Sequence, residues 1–362
     1  MGGQGPTVRI NPDVLRWAME GSGWNAEELS EKTDLKRESI RRWEMHSAPI
    51  KVKDLRKISR AIKRPLSVLL LPKPPEERGL TDYRKVGGTD TEKLSKKTLD
   101  VIRNVRYVQS NAGELLKLRS EDAWPNITPR TLKVDPEVVA EEEREYLGLD
   151  LGKRSKGEGI DEFVRDSYLS LKAKIESFNI FVMQATMDIN EARGFALADG
   201  YPRMILVNSR DKPRSQLFTL LHEYAHLLLK TDGICLTNSD DFKGRPGGKD
   251  VSVERWCNNF AGAIIMPKKA ILRELDNRAD HAPDKVVASL AIKFCTSKTA
   301  TVVRILNLLG KDPRREGYLE YYKMISSKLI TETGGGGGEG GRDMAKECVT
   351  RNGMRYVKMV SD

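Results

Sequence analysis

Cysteine is scarce in this chain of 362 residues. Its four cysteines, Cys235, Cys257, Cys295 and Cys348, lie far apart and form no C-x-x-C pair. That spacing favours reduced thiols with packing roles over disulfides or a cysteine metal site. Long apolar runs are missing too. No stretch reaches the roughly 18 apolar residues of a membrane-spanning helix, and Met1 to Ile10 lacks the apolar core of a secretory signal. These absences predict a cytoplasmic protein with no membrane partner. Internal repeats of solenoid type are also absent. Histidine is as scarce as cysteine, with four residues in all, which matters below.

The length allows two or three domains with ample core. The net charge is +10 and is unevenly spread. Between Ser30 and Arg64 there are 12 Lys/Arg against 5 Asp/Glu, a local excess of +7. Clustered positive charge suits a phosphate backbone through counterion release, and equally suits a solvated basic face.

The same region reads as a helical bundle. Asn11-Pro12 starts a helix with a capping side chain and a proline at the first helical position. Gly21-Ser22-Gly23 ends it. Asn25 with Glu28 forms a capping-box pattern for a second helix. A third helix runs over Lys36 to Met45, a fourth over Val52 to Ile62, and a short fifth over Leu66 to Leu71. Pro72-Lys-Pro-Pro75 then breaks regular structure. Residues 92–150 are mostly helical by pattern and carry no evident chemistry. A helix over Phe163 to Ser177 leads to strands at Ile180–Met183 and Met204–Val207. A long helix over Arg214 to Lys230, a polar loop over Thr237 to Asp250, and an apolar helix over Val253 to Met266 follow. More helices cover Asp284 to Leu309. A glycine-rich stretch, Gly334 to Gly341, precedes a strand-like Met354–Met359. The resulting domain bounds are 10–75, 76–158 as a helical middle region, 159–312, and 313–362 as a tail region.

His222, Glu223 and His226 form H-E-x-x-H inside the long helix. Helical residues four apart share a face, so both imidazoles can reach one metal ion, and Glu223 beside them can hold a water on it. With four histidines in the chain, a chance match is on the order of one in a few hundred. Phe218, Leu220, Leu221, Tyr224 and Leu227 to Leu229 make the helix apolar nearly all round, so it should be buried. Buried polar groups need partners, and a metal supplies one. A catalytic zinc takes three protein ligands and keeps one open position. Asp232 and Glu254 are the candidates for the third, and Glu254 is favoured because its helix can return across the first. Asn258, one turn later, can orient ligands or substrate. The strand ending at Asn208 is a candidate to pair with an extended peptide.

Leu221-His-Glu-Tyr-Ala-His-Leu-Leu-Leu229, followed by Val253-Glu-Arg-Trp-Cys-Asn-Asn-Phe-Ala-Gly-Ala-Ile-Ile-Met-Pro267, resembles the ImmA/IrrE family of metallopeptidases. Ile205–Asn208 and Phe218-Thr219 fit that pattern as well, and Cys257 replaces its usual small Ala. The resemblance spans about 160–310. It implies His222, His226 and Glu254 as zinc ligands, with manganese or iron also compatible, and Glu223 as the catalytic carboxylate of a zincin-like domain. Residues Asn11 to Pro75 resemble the Xre-type helix-turn-helix found ahead of this peptidase in fused regulators. Arg42-Trp43-Glu44 and Arg64-Pro65-Leu66 to Pro72 carry that likeness, while His46 stands where a glycine is usual. Lys36, Arg37, Ser39, Arg41 and Arg42 on the third helix are then the expected DNA contacts.

The expected fold is mainly α with a small β-sheet (α+β), a five-helix bundle plus a zincin-like metallopeptidase domain. The expected function is a zinc-dependent metallopeptidase and DNA-binding regulator that cleaves a repressor-type protein, relieving repression under stress. DNA and that protein are the expected partners, and a homodimer is compatible. The alternative is a non-enzymatic transcription factor or antitoxin-like module with a structural metal site.

Overall fold

The computed structural model describes residues 6–75, 94–120, 125–149, 159–231, 233–236, 249–329, 356, 357 and 359. The chain divides into two compact units, Met1–Tyr107 and Val108–Asp362.

In the first unit, strand β1 (Thr7–Arg9) precedes helices α1 (Pro12–Glu20), α2 (Ala26–Thr33) and α3 (Arg37–Met45). Strand β2 (Pro49–Lys51), α4 (Val52–Ala61), α5 (Leu66–Leu69) and the first half of α6 (Lys96–Leu118) follow. Local chemistry explains the starts. The Asn11 side chain accepts the Asp13 N–H at 2.8 Å ahead of Pro12. Asn25 and Glu28 form a reciprocal capping box, with the Glu28 N–H donating to Asn25 at 2.8 Å. Asp34, in the left-handed region at φ 55, turns the chain from α2 into α3. Such a residue is tolerated there because its short polar side chain can bond locally. The faces carrying Leu15, Leu29, Ile40, Trp43, Leu55 and Ile58 close into one core.

The five expected helices are present. The sequence reading did not include β1 and β2, which pair antiparallel with Val8 opposite Ile50. Three residues are too few to show a strand period.

In the second unit, α7 (Pro136–Leu147) and α8 (Ile160–Glu176) precede strands β3 (Ile180–Ala185), β4 (Ala192–Leu197) and β5 (Arg203–Asn208). Next come α9 (Pro213–Leu228), β6 (Gly233–Leu236), α10 (Lys249–Ile265), α11 (Lys268–Asp276), α12 (Pro283–Lys293), α13 (Lys298–Leu309) and α14 (Arg315–Leu329). The sheet order is β3-β5-β4-β6. β3 runs parallel to β5, and the other pairs are antiparallel. Ile180, Val182, Ile205 and Val207 alternate toward the core that α8, α9 and α10 share.

Both β4 and β6 went unread in the sequence. β4 contains Ala192, Gly194 and Ala196, a composition with weak strand preference. β5 pairs with strands on both sides, so the strand ending at Asn208 has no free edge for a peptide. That corrects the expectation of peptide pairing there.

The loop expected over Thr237 to Asp250 lies mostly outside the described residues, as do Asp232 and Gly334 to Gly341. α10 already begins at Lys249, which puts Glu254 in its second turn. In the tail, Tyr356, Val357 and Met359 are helical rather than strand. Among the described residues no single helix is long and apolar enough to cross a membrane. α12 and α13 meet that measure only as a pair bent by 108°, and their residues Val286, Leu290, Val302 and Ile305 are core.

Candidate functional site

α9 starts at Pro213 and is buried along most of its length, with Leu217 and Thr219 to Leu228 inside. The sheet forms its floor. A Cβ placed on Gly194 of β4 would lie 2.6 Å from Thr219 Cγ2, 2.7 Å from the Leu206 carbonyl oxygen and 3.5 Å from Glu223 Cγ. Only glycine allows α9 to lie this close to β4, and Glu223 sits at that point of approach.

His222 and His226 lie one turn apart and meet edge to face, with ring centroids 4.9 Å apart and planes at 64°. Their Nε2 atoms face each other at 3.2 Å. α10 crosses α9 and delivers Glu254. One of its carboxylate oxygens lies 3.1 Å from His222 Nε2 and the other 3.1 Å from His226 Nε2. The three side chains thus converge on one point, and the donor atoms lie within 4.8 Å of one another. A tetrahedral ion with bonds of about 2.0–2.1 Å would hold its ligands about 3.3 Å apart, close to this triangle.

The surrounding atoms also fit a cation. His222 and Glu223 are fully buried and His226 nearly so. Among the described residues, neither oxygen of Glu223 has a partner, and neither do His222 Nδ1 and Thr219 Oγ1. Unpaired buried polar atoms are costly unless something satisfies them. Burial, and next the negative Glu254, push the Glu223 carboxyl well above its ordinary value of 4.5. Burial also works against ionised Glu254, but hydrogen bonds from His222 and His226 outweigh it and hold that carboxyl well below the usual range. Burial lowers His226, with Glu254 opposing and His222 assisting. The cluster therefore presents a charged carboxylate beside the His226 imidazole, which is held toward its neutral form, and such donors suit zinc.

α7 braces these two helices. The Tyr224 hydroxyl, next along from Glu223, donates to buried Glu143 of α7 at 2.8 Å. Trp256 Nε1, on α10, donates to the Val134 carbonyl at 2.8 Å, and the Arg130 N–H donates to the Leu228 carbonyl at 2.8 Å. Asn258 lies one turn beyond Glu254 and is half-buried. The sequence reading missed Gly194, Thr231 and Glu143. Thr231 Oγ1 lies 3.2 Å from His226 Nδ1. None of the three belongs to a motif, and only the isolated glycine in an apolar stretch was a visible signal.

On α3 the expected DNA contacts divide. Lys36, Arg37, Arg41 and Arg42 are exposed, and Ser39 is half-buried on the flank nearer the core. Arg41 pairs with Glu27 of α2, and Arg37 lies 3.7 Å from the same carboxylate. Among the described residues Arg42 forms no ion pair. Glu38 and Met45, which the sequence reading left out, share the outward face, and Met45 is 69% exposed.

Residues 175–306 match the family described as the IrrE N-terminal-like domain, a peptidase family, and residues 15–69 match a helix-turn-helix family. The chain is 33% identical over 128 residues to the radiation response metalloprotease IrrE of Deinococcus radiodurans, covering 31% of this chain and 37% of that protein. It is 33% identical over 102 residues to the protein of the same name from Deinococcus deserti, covering 24% of this chain and 36% of that one. The matches thus span little more than a third of each relative. By these matches, residues 175–306 are similar to the IrrE N-terminal-like peptidase domain and residues 15–69 to a helix-turn-helix domain.

Proposed function

We propose that this chain is a zinc-dependent peptidase joined to a DNA-binding domain, and that it cleaves a repressor-type protein. The observation that carries the reading is the convergence of His222, His226 and Glu254 beside a buried carboxylate, Glu223, that has no partner among the described residues. In this reading the first three are the metal ligands, Glu223 is the catalytic carboxylate, and Asn258 helps to orient them. Zinc held by such a set would acidify a water toward pKa about 7 and polarise a peptide carbonyl. Glu223 accepts the water proton on one carboxylate oxygen and returns it to the leaving amine.

Among the described residues the sheet has two outer edges, β3 and β6. β6 directly follows α9, and an extended peptide can add to its edge as a further strand. A purely structural metal site has no use for an unpaired carboxylate at its margin, which separates this reading from the non-enzymatic alternative.

In the DNA-binding domain, the outward face of α3 enters the major groove, with Arg42, Lys36 and Arg37 the leading contacts. Arg41 reads DNA only by leaving Glu27, and Ser39 contributes from the flank. The helix-turn-helix domain brings the peptidase to DNA-bound proteins, which is the support for a repressor-type substrate. The radiation response in the relatives' names supports a stress-linked role. Buried Cys257 and Cys295 serve as packing residues, which suits a reducing, cytoplasmic location.

The test compares wild type with Glu223→Gln. Both are incubated with host lysate, newly formed protein N-termini are mapped, and zinc content is measured. Glu223→Gln should retain zinc and cut about 10²–10⁴-fold more slowly. Equal cleavage by the two proteins would refute the role of Glu223.

A further inference from the structure

α9 ends in a turn that returns toward its own metal site. The helix closes at Leu228, and Lys230 adopts a left-handed conformation at φ 54. The Lys230 N–H donates to the Leu227 carbonyl at 3.2 Å, and the Thr231 N–H donates to the His226 carbonyl at 3.0 Å. This pair of bonds is a Schellman closure, with lysine where glycine is usual. The closure folds Thr231 back under His226.

The contacts of Thr231 are specific. Its hydroxyl oxygen lies 3.2 Å from His226 Nδ1 and 3.4 Å from the His226 carbonyl oxygen. The hydroxyl can donate its proton to that carbonyl, which leaves its lone pairs to face Nδ1. The lone pairs that remain on Oγ1 can only accept from Nδ1. When Nε2 gives its lone pair to a metal ion instead of a proton to Glu254, the neutral ring carries its proton on Nδ1, where Oγ1 is placed to accept it; Nε2 lies 3.2 Å from His222 Nε2 and 3.1 Å from Glu254. Among the described residues His222 lacks an equivalent contact, because its Nδ1 is buried with no partner.

We propose that Thr231 is a positioning residue that fixes the tautomer and ring orientation of His226 for metal binding. The proposal rests on the reading of His226 as a ligand. It assigns that role to a residue outside H-E-x-x-H, placed by the way the helix ends. The hydroxyl is the active part. Serine can replace it, whereas valine has the same shape without the donor and acceptor.

The experiment measures zinc affinity of the metal-free full chain by competition with a chromophoric chelator. The proteins are wild type, Thr231→Ser, Thr231→Val, Thr231→Ala and His226→Ala, each with a thermal melt of its metal-free form. Thr231→Val and Thr231→Ala should bind zinc about 10–100-fold more weakly, while Thr231→Ser binds as wild type does. The metal-free melts should stay together, since the effect lies in the ligand and not in the fold. Wild-type affinity in Thr231→Val, or Thr231→Ser as weak as Thr231→Val, would overturn the proposal. If Thr231→Val fails to fold, Thr231→Ala decides by the same criterion. Should His226→Ala also bind zinc as wild type does, the ligand reading itself fails. Loss of zinc in His226→Ala alone removes only the role of Thr231.

Discussion

On α3, Arg37 and Arg41 lean on Glu27 with about half of each arginine side chain in water, 50% for both. On α9, both oxygens of Glu223 are sealed from water with no partner among the described residues. The first arrangement is complete without a ligand. Solvent and neighbouring charge satisfy every group, and such exposed pairs contribute little, about 0–1 kcal/mol. The second is incomplete, because buried polar atoms without partners are destabilising. A charged surface therefore says what kind of ligand suits it but not which residue makes the contact. A buried, unsatisfied cluster says where its ligand must sit.

Metal removal is the sharpest way to test that contrast. Stripping the ion with a chelator should abolish cleavage and leave DNA affinity unchanged, measured on one preparation by peptide release and by electrophoretic shift. Loss of both activities would break the comparison.

Gly194→Ala comes next. Its Cβ would sit 2.7 Å from a backbone oxygen of β5, an atom that cannot move aside cheaply. Overpacking of this kind costs about 1–3 kcal/mol, read as a lower melting temperature, and cleavage should fall further because Glu223 shifts with α9. A substitution that changes neither would mean α9 is free to slide on the sheet.

Glu223→Gln should act in the opposite direction on the metal-free protein. The folded-state pKa of Glu223 is raised, so its contribution to stability is full below the ordinary value of 4.5 and is lost as pH rises through the folded value. The glutamine variant escapes that loss. It should be more stable than wild type by about 1–3 kcal/mol at neutral pH and nearly equal at acid pH, checked by denaturant titration at both. A difference that does not depend on pH would show that Glu223 is not the titrating group.

The DNA-binding unit should respond more mildly. Arg42→Ala should reduce the slope of log affinity against log salt by about 1, uniformly across DNA sequences, if it meets a phosphate. Arg41→Ala should change that slope less, because Glu27 already holds the side chain. Equal effects would show that the Glu27 pair opens on binding. The smallest change expected is Asn25→Ala, which should cost about 1 kcal/mol of stability through the lost cap.

Much of the first unit was legible because its signals are local. Asn11-Pro12 and Asn25 with Glu28 form their caps within three residues, and the buried face of α3 follows from Ile40 and Trp43. The strands were harder to read. β3 and β5 show as short apolar runs, but β4 has glycine and alanine where a strand signal would need larger residues, and β1 and β2 are three residues each. Because β4 went unread, β5 looked like a free edge when it is an interior strand.

By itself the sequence determined that two imidazoles would share one face of a helix, that a carboxylate would stand beside them, and that a basic surface would lie near the N-terminus. Helical periodicity and side-chain charge decide those matters within a few residues. Tertiary structure alone decided how closely Glu254 approaches both imidazoles, that Arg41 is engaged with Glu27, that Gly194 clears the way for Glu223, and that Thr231 returns beneath His226. Each of these depends on elements meeting at a distance or on the turn that ends a helix. Packing sets such meetings, and periodicity carries no record of it.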